Sequence, residues 1–265
     1  MGQTALIKDI QVVPVKELLA RTALDGEGSL TQRVYVTLRR LAVELRLLPN
    51  QFLSEKDVAD SLRVSRTPVR EAFIRLAEDG VVHIQPKSGT YVATIDFTQA
   101  EEGFFVWSAL ESSCAGRVAE KGSLRDIGVL RDLAADESEA AHRGDAAGFR
   151  ATNNVFHDAV FELAEFPGAK KVTDSAKFEV DRIRNMLQRH NLVGMKEVAA
   201  EHNDIVNAIA AGDEAAAEEA MADHLENLRT AMRTAAADDD FQRTLRFLNQ
   251  KRTGKRRARA GRKDD

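Results

Sequence analysis

Cysteine, proline and tryptophan are scarce in this 265-residue sequence, which contains one, five and one of them respectively. The single cysteine, Cys114, excludes an intrachain disulfide framework and any zinc site built from several thiolates. No apolar run reaches the roughly 18 residues that a membrane-spanning helix needs. Lys8 and Asp9 interrupt the apolar N-terminal stretch, which argues against a secretory signal. We therefore expect a cytoplasmic protein that does not contact a membrane.

Charge is distributed unevenly along the chain, although the formal net charge is only −4. Residues 29–93 carry ten Lys/Arg and seven Asp/Glu, a net of +3, whereas residues 94–248 carry 17 and 29, a net of −12. Residues 249–265 carry eight and two, a net of +6. This asymmetry indicates that one part of the protein meets a polyanion and another part does not.

The N-terminal third predicts an arm followed by a small folded unit. Residues 1–28 lack sustained periodicity and end in the acidic, glycine-rich segment DGEGS, so we predict a mobile or loosely packed arm. Residues 29–95 then combine three helical patterns with two short β-rich runs, VVHI and TYVA, joined by QPKSG. These runs predict a hairpin with a basic tip. We expect residues 29–95 to form a compact domain of their own.

Two of the three helices carry clear start signals. In LSEKDVADSL, Ser54 and Asp57 resemble a capping box. In RTPVREAFIRLAEDG, Thr67 is expected to cap the helix and Pro68 to occupy its first position, where the missing N–H has no intrahelical partner. Gly80 is expected to end this helix.

The remainder of the chain is helical in pattern from about residue 98 to residue 248. Breaks at KGS, RGD, EFPG, NLVG and AGD divide it into roughly six helices, which predicts an antiparallel bundle. The fold class is therefore mostly α, with a second domain over residues 98–235 that contains six to seven helices. Residues 249–265 are basic and of low complexity, and predict a disordered tail.

Two short helices joined by RVS fit the helix-turn-helix pattern, whose second helix enters the major groove of DNA. Arg66 and Arg70 flank the start of that helix on the side that its apolar stripe leaves free, and Thr67 adds a small hydroxyl. Arginine can bind guanine O6 and N7 with two hydrogen bonds, or clamp phosphates. Spacing alone leaves a second interpretation open, in which this is an ordinary solvated amphipathic helix.

The order of residues is more specific than the spacing. The segment from Leu53 to Val92 resembles the winged helix-turn-helix of GntR-family transcription regulators, through LSE, SRTPVREA and the wing end GTYV. Asn50 stands where that family usually has glycine, and asparagine also tolerates a turn. The resemblance implies operator reading by Arg66, Thr67 and Arg70, supported on the DNA backbone or in the minor groove by Lys56, Lys87, Ser88 and Gly89.

Histidines in the helical half suggest a metal site. Asn153 and His157 are four residues apart and share one helical face, while His202 and His224 lie on two later helices. Three imidazoles and an amide oxygen that converge from three helices would suit a divalent metal ion. The alternative is that these histidines are ordinary core or surface residues.

ATNNVFHDAVFELA and EHNDIVNAIAAGDEAAAEEAMADHL resemble the all-helical ligand-binding domain called FCD, in the six-helix, VanR-like branch of the FadR subfamily. That resemblance implies a divalent ion (Zn, Ni or Mn) held by Asn153, His157, His202 and His224. It also implies that the open coordination positions of this ion take the carboxylate of a small organic acid.

Two positions depart from the pattern of that domain. Asn153 replaces the commoner aspartate and removes one negative charge from the site, which leaves it more attractive to an anion. Trp107 replaces the usual arginine, three to four residues before the glutamate matched by Glu111. If Trp107 lines the effector pocket, Arg182 or Arg184 could supply the missing cation, although both could equally form surface ion pairs.

These features together predict a homodimeric, ligand-responsive repressor that binds a near-palindromic double-stranded operator, and not an enzyme. The basic tail could add nonspecific phosphate contacts. A metal-dependent hydrolase is a rival hypothesis, but no motif places a general base or a nucleophile elbow. An architectural DNA-binding dimer, whose helical half has no ligand, is another.

Overall fold

The computed structural model describes residues 13–189 and 194–250. These residues form two compact units, one of residues 13–94 and 245–250 and one of residues 95–189 and 194–244. The described helices are α1 (Val15–Ala20), α2 (Leu30–Val43), α3 (Glu55–Leu62), α4 (Arg66–Glu78), α5 (Phe97–Lys121), α6 (Leu124–Arg143), α7 (Ala146–Leu163), α8 (Pro167–Ala176), α9 (Phe178–Arg189), α10 (Met195–Ala211), α11 (Glu214–Ala237) and α12 (Asp239–Leu248). The described strands are β1 (Phe52–Leu53), β2 (Val82–Gln85) and β3 (Gly89–Val92).

The structure corrects the prediction of a loosely packed arm for residues 13–28. Helix α1 packs against α3 and buries Leu18 and Leu19. Lys16 and Asp57 form an ion pair of 3.0 Å between the same two helices. The apolar stripe of α1 is one turn long, too short to stand out as a periodicity, so its burial depends on the neighbouring helix. The predicted arm before residue 13 and the predicted tail from residue 251 lie outside the described residues.

The small unit has the predicted three helices and hairpin. Strands β2 and β3 pair antiparallel, with Val82 opposite Val92, and β1 joins the other edge of β3 to give the order β1-β3-β2. The sequence did not predict β1, because two residues carry no periodicity. Asn50, just before β1, adopts the left-handed conformation with φ 58°, as expected where the related family has glycine.

Helix α4 begins earlier than predicted. It starts at Arg66 with Ser65 as the N-cap, so Pro68 occupies the third helical position and Thr67 lies inside the helix. Proline is tolerated there because the N–H groups of the whole first turn lack intrahelical acceptors. The cap of α3 is as predicted, since Ser54 accepts a hydrogen bond from the backbone N–H of Asp57. The predicted face of α4 is buried and contains Val69, Ala72, Phe73 and Leu76.

The large unit is built around the long helix α5, which packs against α7, α8, α9, α10 and α11. Four of the five predicted breaks, KGS, RGD, EFPG and AGD, coincide with helix ends, and the fifth, NLVG, lies largely outside the described residues. Two further breaks, at Lys177 between α8 and α9 and at Asp238 between α11 and α12, were missed because neither glycine nor proline marks them. Among the described residues, no helix has both the length and the apolar character to cross a membrane.

Candidate functional site

Three buried histidines from three helices of the large unit meet in its interior: His157 of α7, His202 of α10 and His224 of α11. Each ring offers one nitrogen, and these three nitrogens all lie within 4.8 Å of one another. The Nε2 atoms of His202 and His224 are 3.2 Å apart. The structure therefore brings together the three histidines that the sequence predicted as metal ligands.

The Nδ1 atom of each ring forms a hydrogen bond with a glutamate side chain. Nδ1 of His157 lies 2.5 Å from Oε1 of Glu111, and Nδ1 of His224 lies 2.7 Å from Oε2 of Glu201. Nδ1 of His202 bonds to Glu137 in the same way. Carboxylates in this position fix the tautomer of a ligating imidazole and leave its Nε2 lone pair available.

Sequence reasoning assigned no role in the metal site to these glutamates. Glu111 and Glu137 are fully buried, each on the apolar stripe of a helix. A carboxylate at a core position is rare unless it is paired. This was the signal that could have identified both residues, although it could not have named their partners.

Burial lowers the pKa of two of the three imidazoles, those of His157 and His224. It lowers the pKa of His157 well below the usual value, and the neighbouring rings of His202 and His224 lower it further. Burial is also the main reason that the pKa of His224 falls to about 4. Neutral imidazole is the form that binds a metal ion. Burial raises the pKa of Glu111 to about 8.

Asn153 lies beside the histidines but has other partners. Its Nδ2 donates to Oε1 of Glu137 at 3.0 Å, and its Oδ1 accepts from Nη1 of Arg184 at 3.1 Å. The oxygen that was predicted as a metal ligand is thus bonded to a guanidinium group. Asn153 links Arg184 to the carboxylate that orients His202.

A cavity of about 110 Å³ opens beside the histidines, lined by Asn153, His157, Arg184 and His224. Glu201 and Asn227 add polar groups, while Val198, Leu228 and Ala231 form an apolar wall. Of the three residues that were predicted to line an effector pocket, Arg184 does so.

Trp107 and Arg182 are not among the residues that line this cavity. Trp107 is fully buried, its indole N–H donates to Glu111, and its ring lies edge-on to His157 with the centroids 5.5 Å apart. Arg182 is fully buried against Glu179 at 2.9 Å, so its ion pair is internal and not on the surface. Trp107 therefore contacts His157 directly and also through Glu111.

The residues predicted to read DNA lie at the exposed start of α4. Arg66, Thr67 and Arg70 are exposed there, and the guanidinium of Arg70 forms a forked pair with Glu55 of α3. Of the residues predicted to support them, Lys56, Lys87 and Ser88 are exposed and Gly89 is half-buried. Lys87 has φ 62° and Gly89 φ 123°, which forms the tight tip of the β2–β3 hairpin.

Polar contacts at three successive turns hold α4 against α2. Glu71 accepts from Thr31 at 2.6 Å, Arg75 donates to Gln32 at 2.7 Å, and Asp79 accepts from Tyr35 at 2.5 Å. Burial and the bond to Asp79 raise the pKa of Tyr35 to about 12. These contacts set the orientation of α4, and with it the direction of its exposed arginines.

Two parts of the chain match known protein families. Residues 30–92 match "Bacterial regulatory proteins, gntR family", and residues 102–227 match the FCD domain. The "HTH-type transcriptional repressor RspR" of Escherichia coli (strain K12) is 32% identical over 216 residues, which cover 82% of this chain and 94% of the relative. The "Probable D-xylose utilization operon transcriptional repressor" of Paenarthrobacter nicotinovorans is 32% identical over 171 residues, covering 64% and 74%.

Solved structures agree with this fold. E. coli McbR/YncC aligns with a TM-score of 0.70 at 20% identity, over 79% of this chain and 100% of that structure. The crystal structure of a putative GntR transcriptional regulator from Rhodococcus sp. RHA1 aligns with a TM-score of 0.62 at 27% identity, over 77% and 98%. The chain therefore belongs to the GntR family: it is a DNA-binding transcription regulator with an FCD domain, and not an enzyme.

Proposed function

We propose that this regulator is a homodimeric repressor that leaves a near-palindromic operator when a small organic acid binds beside a divalent metal ion in its helical unit. The observation that carries the proposal is the group of three buried histidines, each oriented by a glutamate, next to a cavity with a guanidinium group. The direction of the response rests on the relatives whose names call them repressors.

The donor set fits a divalent ion. Nitrogen ligands at about 2.1 Å from a zinc ion lie roughly 3.4 Å apart in a tetrahedral site. The 3.2 Å between Nε2 of His202 and Nε2 of His224 is close to that separation. Imidazole suits zinc and nickel more than calcium or magnesium. His157, His202 and His224 would hold the ion, with Asn153 as the further ligand proposed from the sequence.

The cavity favours a small anion. When bound, the metal ion supplies positive charge and open coordination positions for a carboxylate, and three neutral imidazoles do not cancel that charge. Arg184 adds a second cation, and Val198 and Leu228 provide apolar surface for a short carbon chain. About 110 Å³ suits a molecule of only a few carbon atoms.

At the DNA, we assign base reading to Arg66, Thr67 and Arg70. Lys56, Lys87, Ser88 and Gly89 would contact the backbone or the minor groove. Helix-turn-helix dimers place two such helices in successive major grooves, which is why their operators are near-palindromic. The effector would act only through a difference in its affinity for the DNA-bound and the free arrangement of the dimer.

The test uses the purified, metal-loaded protein and the duplex it selects from a random library. Lactate, malate and citrate serve as probe acids, and operator affinity is measured by fluorescence anisotropy. At least one acid is expected to weaken binding about tenfold in the loaded protein and to have no effect after chelation. An equal response in both preparations overturns the proposal. It is also overturned if no acid changes the operator affinity and the protein binds no metal ion.

A further inference from the structure

The pair between Arg70 and Glu55 joins the proposed reading helix α4 to α3. Nε of Arg70 lies 3.3 Å from Oε1 of Glu55, and Nη2 lies 3.2 Å from Oε2. Two donors on one edge of the guanidinium therefore meet both oxygens of one carboxylate. Such forked pairs fix the plane of an arginine side chain as well as its position.

The pair leaves the other edge of the guanidinium available. Arginine has five N–H donors in a rigid fork, and this contact uses the edge formed by Nε and Nη2. The end formed by Nη1 and Nη2 keeps two parallel N–H bonds, the arrangement that binds guanine O6 and N7. The Arg70 side chain is 66% exposed, so this end is accessible to DNA.

We infer that Glu55 is a specificity-determining residue, which holds Arg70 in the orientation that reads a base and opposes its use as a general phosphate clamp. This inference rests on the proposed role of Arg70 in reading the operator. A phosphate bound at the free end would lie close to the Glu55 carboxylate, a group of like charge, whereas guanine O6 and N7 are uncharged acceptors. Binding a base edge with the free end keeps the pair intact.

A role in stability alone does not explain this pair. Both side chains are substantially exposed, Arg70 by 66% and Glu55 by 36%, and exposed ion pairs contribute little to stability. The pair therefore matters chiefly for where Arg70 points. Asp60, exposed on the same helix α3, provides a matched control, because its neutralisation removes the same charge without touching Arg70.

The experiment compares Glu55→Gln, Asp60→Asn and Arg70→Ala in the full-length protein. Each variant is titrated against the duplex that the wild type selects from a random library and against a scrambled duplex of the same composition, at several salt concentrations. For Glu55→Gln, the ratio of selected to scrambled affinity is expected to fall roughly tenfold, within the range that one bidentate base contact supplies. Its affinity for the scrambled duplex is expected to rise.

A ratio for Glu55→Gln equal to that of Asp60→Asn overturns the inference about Glu55. A ratio unchanged in Arg70→Ala would instead remove Arg70 from operator reading, which is a failure of the proposed function. Glu55→Asp provides a second test: its shorter side chain keeps the charge but cannot keep the fork, so we expect an intermediate loss of specificity. A wild-type ratio in that variant, with a lowered ratio in Glu55→Gln, would show that charge alone matters and overturn the orienting role.

Discussion

His202 and His224 are 22 residues apart in the sequence, yet their Nε2 atoms lie 3.2 Å from each other. A contact of this length between two Nε2 atoms is a hydrogen bond only if one of them carries a proton, whereas a divalent ion accepts both lone pairs. Glu137 and Glu201 form hydrogen bonds with the Nδ1 atoms of these two rings, so the Nε2 atoms are the ones left for a ligand.

We expect the wild-type protein, purified without chelator, to contain about one divalent ion per chain, and the double variant His157→Ala, His202→Ala to contain none. Loss of two of three imidazole ligands removes most of the affinity of the site. Elemental analysis by mass spectrometry measures the content. His142→Ala is the control, because His142 is exposed on α6, where its Nδ1 lies 2.7 Å from the carbonyl oxygen of Ser138. A metal-free wild type would favour a purely structural role for the helical unit.

Arg184→Ala is expected to weaken the binding of an acid effector by about tenfold or more, because a charged hydrogen bond is worth about 1.5–3 kcal/mol. Isothermal titration with the probe acid that releases the operator gives the affinity directly. Arg131→Ala removes the same charge from an exposed position on α6 and should leave the affinity unchanged. Equal effects of the two substitutions would mean that Arg184 acts only through net charge.

Arg70→Ala and Lys87→Ala are expected to impair DNA binding in different ways. Loss of a base-reading arginine costs about 1–3 kcal/mol and relaxes specificity at one base pair. Loss of a phosphate-contacting lysine weakens the binding of all duplexes alike. It also reduces the slope of log affinity against log salt concentration by about one. Anisotropy titrations on a panel of single-base operator variants distinguish the two. The assignment of Arg70 to base reading fails if its variant weakens every duplex equally.

Asn50→Ala is expected to destabilise the small unit by about 1–2 kcal/mol, because alanine lacks the short polar side chain whose local hydrogen bonds let asparagine tolerate a left-handed conformation. Asn50 has φ 58°, and its Nδ2 donates to the carbonyl oxygen of Asn249 at 2.8 Å. Asn50→Gly tolerates that backbone conformation and loses only the side-chain bond, so it should cost less. Thermal unfolding of the two variants measures the difference, and the reverse order would contradict the explanation.

Deletion of residues 251–265 is expected to flatten the salt dependence of DNA binding, since each phosphate contact that is lost lowers the slope by about 0.9. The deleted segment carries eight basic and two acidic residues. It leaves Asn249 and its bond to Asn50 in place. An unaltered slope would show that the tail does not contact the duplex.

Local sequence signals predicted most of the secondary structure. The buried face of α4 followed from its apolar spacing, and four breaks between helices followed from glycine, proline or polar clusters. The signals failed where an element depends on its neighbours. Helix α1 is stabilised by packing Leu18 and Leu19 against α3, β1 exists through its pairing with β3, and the break at Lys177 carries no helix-breaking residue.

In the candidate site, too, the sequence predicted some of the residues, and only the structure revealed their partners. The sequence by itself determined helix α4 and the arginines near its start, as well as the family, because those residues are contiguous and their spacing is that of one element. It also identified the three histidines. Only the tertiary structure decided that Glu111, Glu137 and Glu201 orient them, and that Arg184 and not Arg182 faces the cavity. These partners lie on different helices, and the rotation of one helix against another depends on packing of the whole bundle, which no local periodicity encodes.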